Sequence, residues 1–254
     1  MCRKAHGSAF ASMLRVREAA FQWARRGSVI TYESSPGTRR PFCTTCGSPL
    51  PQDPTPKGVF LPAGPLEGDP GTRPAAHIFT ASRAPWYEIE DALPCFESYP
   101  PGYAAPGAVV PPTPAAPAAG GVRGSCLCGR VRYRITAKPL LAQHCHCSRC
   151  RRARGAAHAS NLFVAADGLR FDSGEEAVET FRVPEARRFG HSFCRYCGAS
   201  VPRVDRSEGI VGVPMGSLDD DPGIRPLRHI YTGSKAAWFE IPGSLPQCAE
   251  GAPG

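Results

Sequence analysis

No stretch of the 254-residue chain approaches 18 consecutive apolar residues, so no membrane-spanning helix is expected. The opening MCRKAHGSAF lacks the apolar core of a secretory signal, so a reducing, cytoplasmic setting is expected. Helix signals are scarce, with one short candidate over residues 148–153, and residues 100–121 carry no charge at all. Cysteines spaced for long-range disulfides are also missing: most of the 12 fall in close CxC and CxxC pairs, which suit a metal far better than bridges. The length allows one or two domains, and 42% hydrophobic with 20% charged residues is ordinary for a globular protein.

The densest cysteine motif is HCHCSRC, residues 144–150. On a strand, side chains two apart share a face, so Cys145 and Cys147 point one way while His144 and His146 point the other. A turn after Cys147 brings Cys150 back, giving a three-thiolate corner suited to zinc with one tetrahedral position open. Two flanking pairs, Cys126 with Cys128 and Cys194 with Cys197, add up to a closed four-thiolate site. Gly198, just after the second pair, permits the positive φ that such a knuckle needs. The competing reading is a single zinc ribbon with the other cysteines buried as small hydrophobes; seven cysteines at CxC, CxCxxC and CxxC spacing weigh against it.

The chain repeats itself. PAGPLEGDPGTRPAAHIFTASRAPWYEI from Pro62 matches PMGSLDDDPGIRPLRHIYTGSKAAWFEI from Pro214 at a constant offset of 152, pairing His77 with His229 and Trp86 with Trp238. Residues 1–99 are an incomplete copy and 122–248 a complete one. The Pro/Ala/Gly segment between them, residues 100–121, reads as a semi-rigid tether that leaves the copies free to move independently. The first copy keeps Cys2, Cys43 and Cys46, matching Cys150, Cys194 and Cys197, but has nothing to match Cys126, Cys128, Cys145 or Cys147. Its Met1 falls at Arg149, inside the corner motif. The expectation is that the reading frame continues upstream and supplies the missing CxCG and CxCxx segments.

In the second copy, RVRYRI at 130–135 alternates with Val131, Tyr133 and Ile135 on one face, and 169–171, 178–183 and 210–213 are further β-prone runs. Asp167-Gly168, Asp172-Ser173-Gly174 and Asp221-Pro222-Gly223 punctuate them as turns. Many short strands with frequent turns predict an all-β fold stapled by metal.

The series GSCLCGRVRY, HCHCSRCRRARGAAHASNLFV, FCRYCGASVP and RPLRHIYTGSKAAWFEI resembles the glutathione-dependent formaldehyde-activating enzyme family, which includes centromere protein V-like proteins. The resemblance implies an Mss4-like β fold in two tandem copies, the first incomplete. It implies two zinc ions per complete copy: a structural one on Cys126, Cys128, Cys194 and Cys197, and a catalytic one on Cys145, Cys147 and Cys150. The implied activity is that of a carbon–sulfur lyase joining a small thiol such as glutathione to a small aldehyde, formaldehyde, to give S-hydroxymethylglutathione, and the reverse. Arg151 and Arg152 stand where an acidic peptide would be attracted, although they read first as exposed residues without substrate contact; His158 stands where it would line a pocket, a surface or packing role suiting it equally. His229 and Trp238 read as framework. The competing class is a non-catalytic zinc module, with His144 or His146 closing the second site. A net charge of +8 would then suit nucleic acid, although arginine throughout the chain reads first as a solvated surface.

Overall fold

The structure is a computed structural model, and it describes residues 1–102, 120–186 and 188–252. In the second copy a five-stranded sheet runs in the order Arg203–Asp205, Ile210–Pro214, Ala159–Ala165, Leu141–Cys145, His229–Ile230. All neighbours are antiparallel except the last pair, where His229 lies beside His144 and Ile230 beside Cys145 in parallel register. A three-stranded sheet, Leu169–Ser173, Arg132–Ile135, Val122–Ser125, packs against it. Val131, Tyr133 and Ile135 are buried, as their alternation predicts; Tyr133 and Ile135 meet Leu162, Val164, Val211 and Val213 from the larger sheet, and Val131 packs with Cys126, Ala199 and Val201. The buried Tyr133 hydroxyl is satisfied by Ser217 Oγ at 2.6 Å. Among the described residues there are two α-helices, α1 (Cys2–His6) and α2 (Ser148–Arg154). The architecture is therefore all-β, with strands Leu169–Ser173, Val178–Arg182 and Ile210–Pro214 where β-prone runs are expected, the second ending one residue before Val183.

The first copy keeps the matching hairpins. Val29–Ser35 pairs with Thr38–Cys43 as Val178–Arg182 pairs with Gly190–Cys194, and Met13–Val16 pairs with Val59–Pro62 as Ala159–Ala165 pairs with Ile210–Pro214. Even a strained position recurs: Phe79 and Tyr231 are the two non-glycine residues with positive φ among the described residues, at 58° and 56°.

The tether lies outside the described residues from 103 to 119, and the independent movement expected of the copies is not what the structure has. Trp86, Ala84 and Ala9 of the first copy are buried in the same core as Leu162, Met215 and Leu218 of the second. Reciprocally, Ala63 of the first packs with Ala157, Trp238 and Phe239 of the second. A Cβ on Gly47 would run into Phe193, and one on Gly198 into Phe42. These matched contacts make the association isologous, like that of a two-fold dimer within one chain. Opening it would expose Trp86, which is 2% accessible; truncation of a buried tryptophan costs about 3–5 kcal/mol. Free movement of the copies is thereby excluded.

Candidate metal centres

The first sulfur group forms where two turns meet. Cys126 and Cys128 follow the strand Val122–Ser125, and Cys126 Sγ accepts the Val131 amide at 3.3 Å. Cys194 ends the strand Gly190–Cys194, and the chain turns back through Gly198 at φ 67°, whose amide bonds Cys194 O at 2.9 Å. All four sulfurs lie within 4.8 Å of one another. Cys126 and Cys128 stand 3.4 Å apart, and Cys128 and Cys194 3.8 Å. Four sulfurs at about 2.3 Å from a tetrahedral zinc are about 3.8 Å apart, so the donor set fits that ion. Val131, Ala177, Ala199 and Val201 seal the group, with Tyr32 of the first copy against its edge.

The second group has three sulfurs. Cys145 ends its strand, and Cys147 caps the N-terminus of α2 by accepting the Cys150 amide at 3.4 Å. The three sulfurs again lie within 4.8 Å of one another. Cys145 is buried, Cys147 and Cys150 half-buried, and Ala159, Ile230, Cys248 and Ala252 pack around them. Both groups concentrate negative charge. Thiol donation from Cys145, then Cys150, pushes Cys147 down to about 3, while Cys145 is pushed up to about 12 by its tie to Cys147. Cys126 is held down to about 2 by Cys194 and Cys197, and Cys194 is raised to about 12 in return. One thiolate served by neighbouring thiols is the arrangement a soft cation converts into several thiolates.

His144 and His146 face away from these sulfurs, as the strand alternation predicts, and belong to a buried cluster between the copies. His144 Nδ1 meets Ser160 Oγ at 3.1 Å, and His146 Nε2 meets His229 Nδ1 at 2.8 Å. The His144 and His158 rings are 4.3 Å apart, and Phe10 of the first copy stacks edge-on against His158 at 5.2 Å. Burial lowers the pKa of all four imidazoles and keeps them neutral. Neither His144 nor His146 joins the three sulfurs, so closure of the second site by histidine does not form. His158, 2% accessible, and His229 and Trp238 are buried.

Arg152 is exposed and pairs with Glu67 at 2.6 Å. Arg151 is half-buried and donates from Nη1 to Gly64 O at 3.0 Å. In the first copy Cys2 is exposed beside Arg40, and Cys43 and Cys46 are half-buried, with Ser48 Oγ at 3.3 Å from Cys46 Sγ. These three form no group of ligating residues among those described. Sequence reasoning passed over Gly64, His6 and Ser8, which touch the segment after Cys150. The only signal for them was that Gly64 recurs as Gly216 in the duplicated stretch. No helix among the described residues is long and apolar enough to cross a membrane.

The profile of the glutathione-dependent formaldehyde-activating enzyme family matches residues 1–82 and 121–234. A Halomonas elongata protein named "Putative glutathione-dependent formaldehyde-activating enzyme" is 31% identical over 130 residues, covering 47% of this chain and 80% of the relative. The crystal structure of a Rhodobacter sphaeroides protein is 29% identical, covers 41% of this chain and 91% of its own, and superposes with a TM-score of 0.32. With both copies matched by the profile and the cysteine groups assembled as described, the chain belongs to the glutathione-dependent formaldehyde-activating enzyme family.

Proposed function

We propose that the protein is a zinc-dependent carbon–sulfur lyase that joins a small thiol to a small aldehyde, with glutathione and formaldehyde as the pair, and cleaves the adduct. The observation that carries this reading is the contrast between a group of four sulfurs and a group of three, the second offering one protein ligand fewer than a tetrahedral zinc takes. Cys126, Cys128, Cys194 and Cys197 hold a structural ion; Cys145, Cys147 and Cys150 hold a catalytic one, two per complete copy. Zinc bound by three thiolates supplies modest Lewis acidity, enough to favour the deprotonated form of an incoming thiol. In the forward reaction the thiol sulfur bonds to the aldehyde carbon, the carbonyl electron pair moves to oxygen, and the thiol proton ends on that oxygen.

The chain's own residues orient this exchange. Ile230 and Ala159 back Cys145 with apolar surface, which keeps water from one side of the sulfurs. Arg151, close enough to Cys147 for their charges to interact, favours an anionic thiolate and an acidic peptide at the same place. The free thiols suit a reducing compartment, the cytoplasm. The test is exchange NMR with labelled formaldehyde and glutathione. Exchange cross-peaks faster than in buffer, abolished by Cys147→Ser and by chelation, are expected. Rates equal to buffer for the zinc-loaded protein would instead favour a non-catalytic zinc module.

A further inference from the structure

The segment that follows Cys150 is held by the first copy at nearly every residue. Arg151 Nη1 donates to Gly64 O at 3.0 Å, and a Cβ on Gly64 would run into the Arg151 carbonyl and the Ala156 amide. Arg154 O, at the end of α2, accepts the His6 Nδ1 proton at 2.6 Å. A Cβ on Gly155 would stand 2.9 Å from Pro62 and 3.2 Å from Pro49. His158 O accepts the Ser8 hydroxyl at 2.6 Å. Seven residues of α2 cannot hold a helix unaided, because helix initiation is costly and so short a run does not repay it. Yet α2 carries Cys150 and Arg151, and its first turn is capped by Cys147.

The same grip exists in mirror form. A Cβ on Gly216 of the second copy would run into Arg3 O and Ser8 N, which belong to α1 and the turn after it. Helix α1 carries Cys2, which joins no group of ligating residues among those described. One interface therefore contains two equivalent clamps, and one of them closes on a three-sulfur corner.

We infer that the first copy is a positioning subunit for the second. Gly64, His6 and Ser8 fix α2, and through it set where Cys150 Sγ stands relative to Cys145 and Cys147. None of the three touches the sulfurs, so they act through the helix. The inference rests on metal binding at the corner and is independent of the lyase reading.

The experiment uses the full chain loaded with Co2+ in place of zinc. The absorption of tetrahedral Co2+ reports the ligand geometry, and competition with a chromophoric chelator reports affinity. The four-sulfur group, isolated in Cys147→Ser, serves as the internal reference. Gly64→Val should alter the d–d envelope of the three-sulfur corner and weaken its Co2+ affinity at least tenfold, with the four-sulfur signal unchanged. Asp69→Ala, in an exposed turn of the first copy whose bonds run to Gly71 and Arg73, should leave the corner within about threefold of the parent. If Gly64→Val does not fold, the milder His6→Leu/Ser8→Ala double variant should still weaken the corner about threefold. An unaltered corner spectrum and affinity in the folded variant, or equal losses from Gly64→Val and Asp69→Ala, would overturn the proposal.

Discussion

The hairpins that end at Cys43 and at Cys194 have the same backbone and different fates. In the first, Gly47 takes φ 70°, its amide bonds Cys43 O at 2.8 Å, and the Cys43 amide bonds Ser48 O at 3.0 Å. In the second, Gly198 takes φ 67°, its amide bonds Cys194 O at 2.9 Å, and the Cys194 amide bonds Ala199 O at 2.9 Å. The knuckle is thus made by a handful of adjacent residues. The metal group is not: Cys194 and Cys197 meet Cys126 and Cys128, brought from nearly seventy residues away, whereas Cys43 and Cys46 have no such partners among the described residues. A local turn prepares two ligands, and long-range strand pairing decides whether they become a site.

The largest expected effect separates these hairpins. Structural zinc in small domains contributes on the order of 10 kcal/mol of folding free energy, comparable to the whole stability of a domain. Cys194→Ser should therefore abolish the cooperative melting of the second copy, while Cys43→Ser should shift the midpoint by no more than a few degrees. Similar melting curves for the two variants would erase the distinction.

Next in size is the contrast inside the second copy. Cys147→Ser removes one of three sulfurs from a group that strands and α2 also support, so the domain should remain folded and lose one zinc. Elemental analysis should find about two zincs in the parent and about one in the variant. Three or more in the parent would mean that Cys43 and Cys46 recruit ligands from elsewhere and that the hairpins differ less than their surroundings indicate.

Much of this was legible in the residues themselves, and what was not has one physical cause. Alternation at Val131, Tyr133 and Ile135 reports which face is buried, because it is a property of one strand. The CxCxxC spacing places three sulfurs together by the same short-range geometry, and glycine after CxxC marks the turn. The docking of the copies could not be read that way. Ala9, Ala84 and Trp86 are ordinary core residues whose partners, Met215 and Leu218, lie far along the chain. Gly64 and Gly216 look like turn glycines until the opposing backbone is seen against them. The charge-free tether suggested free copies only because composition describes the connection and says nothing of the surfaces it connects.

A smaller effect tests that docking. Each copy sends one buried neutral histidine to a carbonyl of the other: His6 to Arg154 O, and His191 Nδ1 to Cys46 O at 2.8 Å. Burial, the main cause, lowers His6 to about 4 and His191 to about 3, with Arg40 facing the first and Arg154 the second. Unfolded histidine titrates near 6.5, so the unfolded chain takes up protons first on acidification. Stability is then complete above about pH 6.5 and falls as pH drops toward 4, by up to about 1.4 kcal/mol per histidine per pH unit. His6→Gln and His191→Gln, which can still donate to the carbonyl, should each flatten the midpoint-versus-pH curve between pH 6.5 and 5. Slopes identical to the parent would show that these histidines are not held neutral in the folded protein.

The smallest expected effect is one that should not distinguish the copies at all. Asp69 and Asp221 occupy matching Asp-Pro-Gly turns, accept the amides of Gly71 and Gly223 at 2.9 and 3.0 Å, and pair with Arg73 and Arg225 at 2.8 Å. Both arginines are about half exposed, at 48% and 49%, so water and salt screen each pair almost equally. Everything these turns need lies within five residues, and neither depends on the strands that the first copy lacks. Asp69→Ala and Asp221→Ala should each lower the melting midpoint by less than about 2 °C, and by the same amount within error. A markedly larger loss from Asp221→Ala would mean that the turn in the second copy is supported by its neighbour Asp220, which is tied to Arg123 Nη2 at 2.8 Å and has only Gly68 at the matching position of the first. The boundary between local and long-range construction would then lie closer to the turn than the hairpins alone suggest.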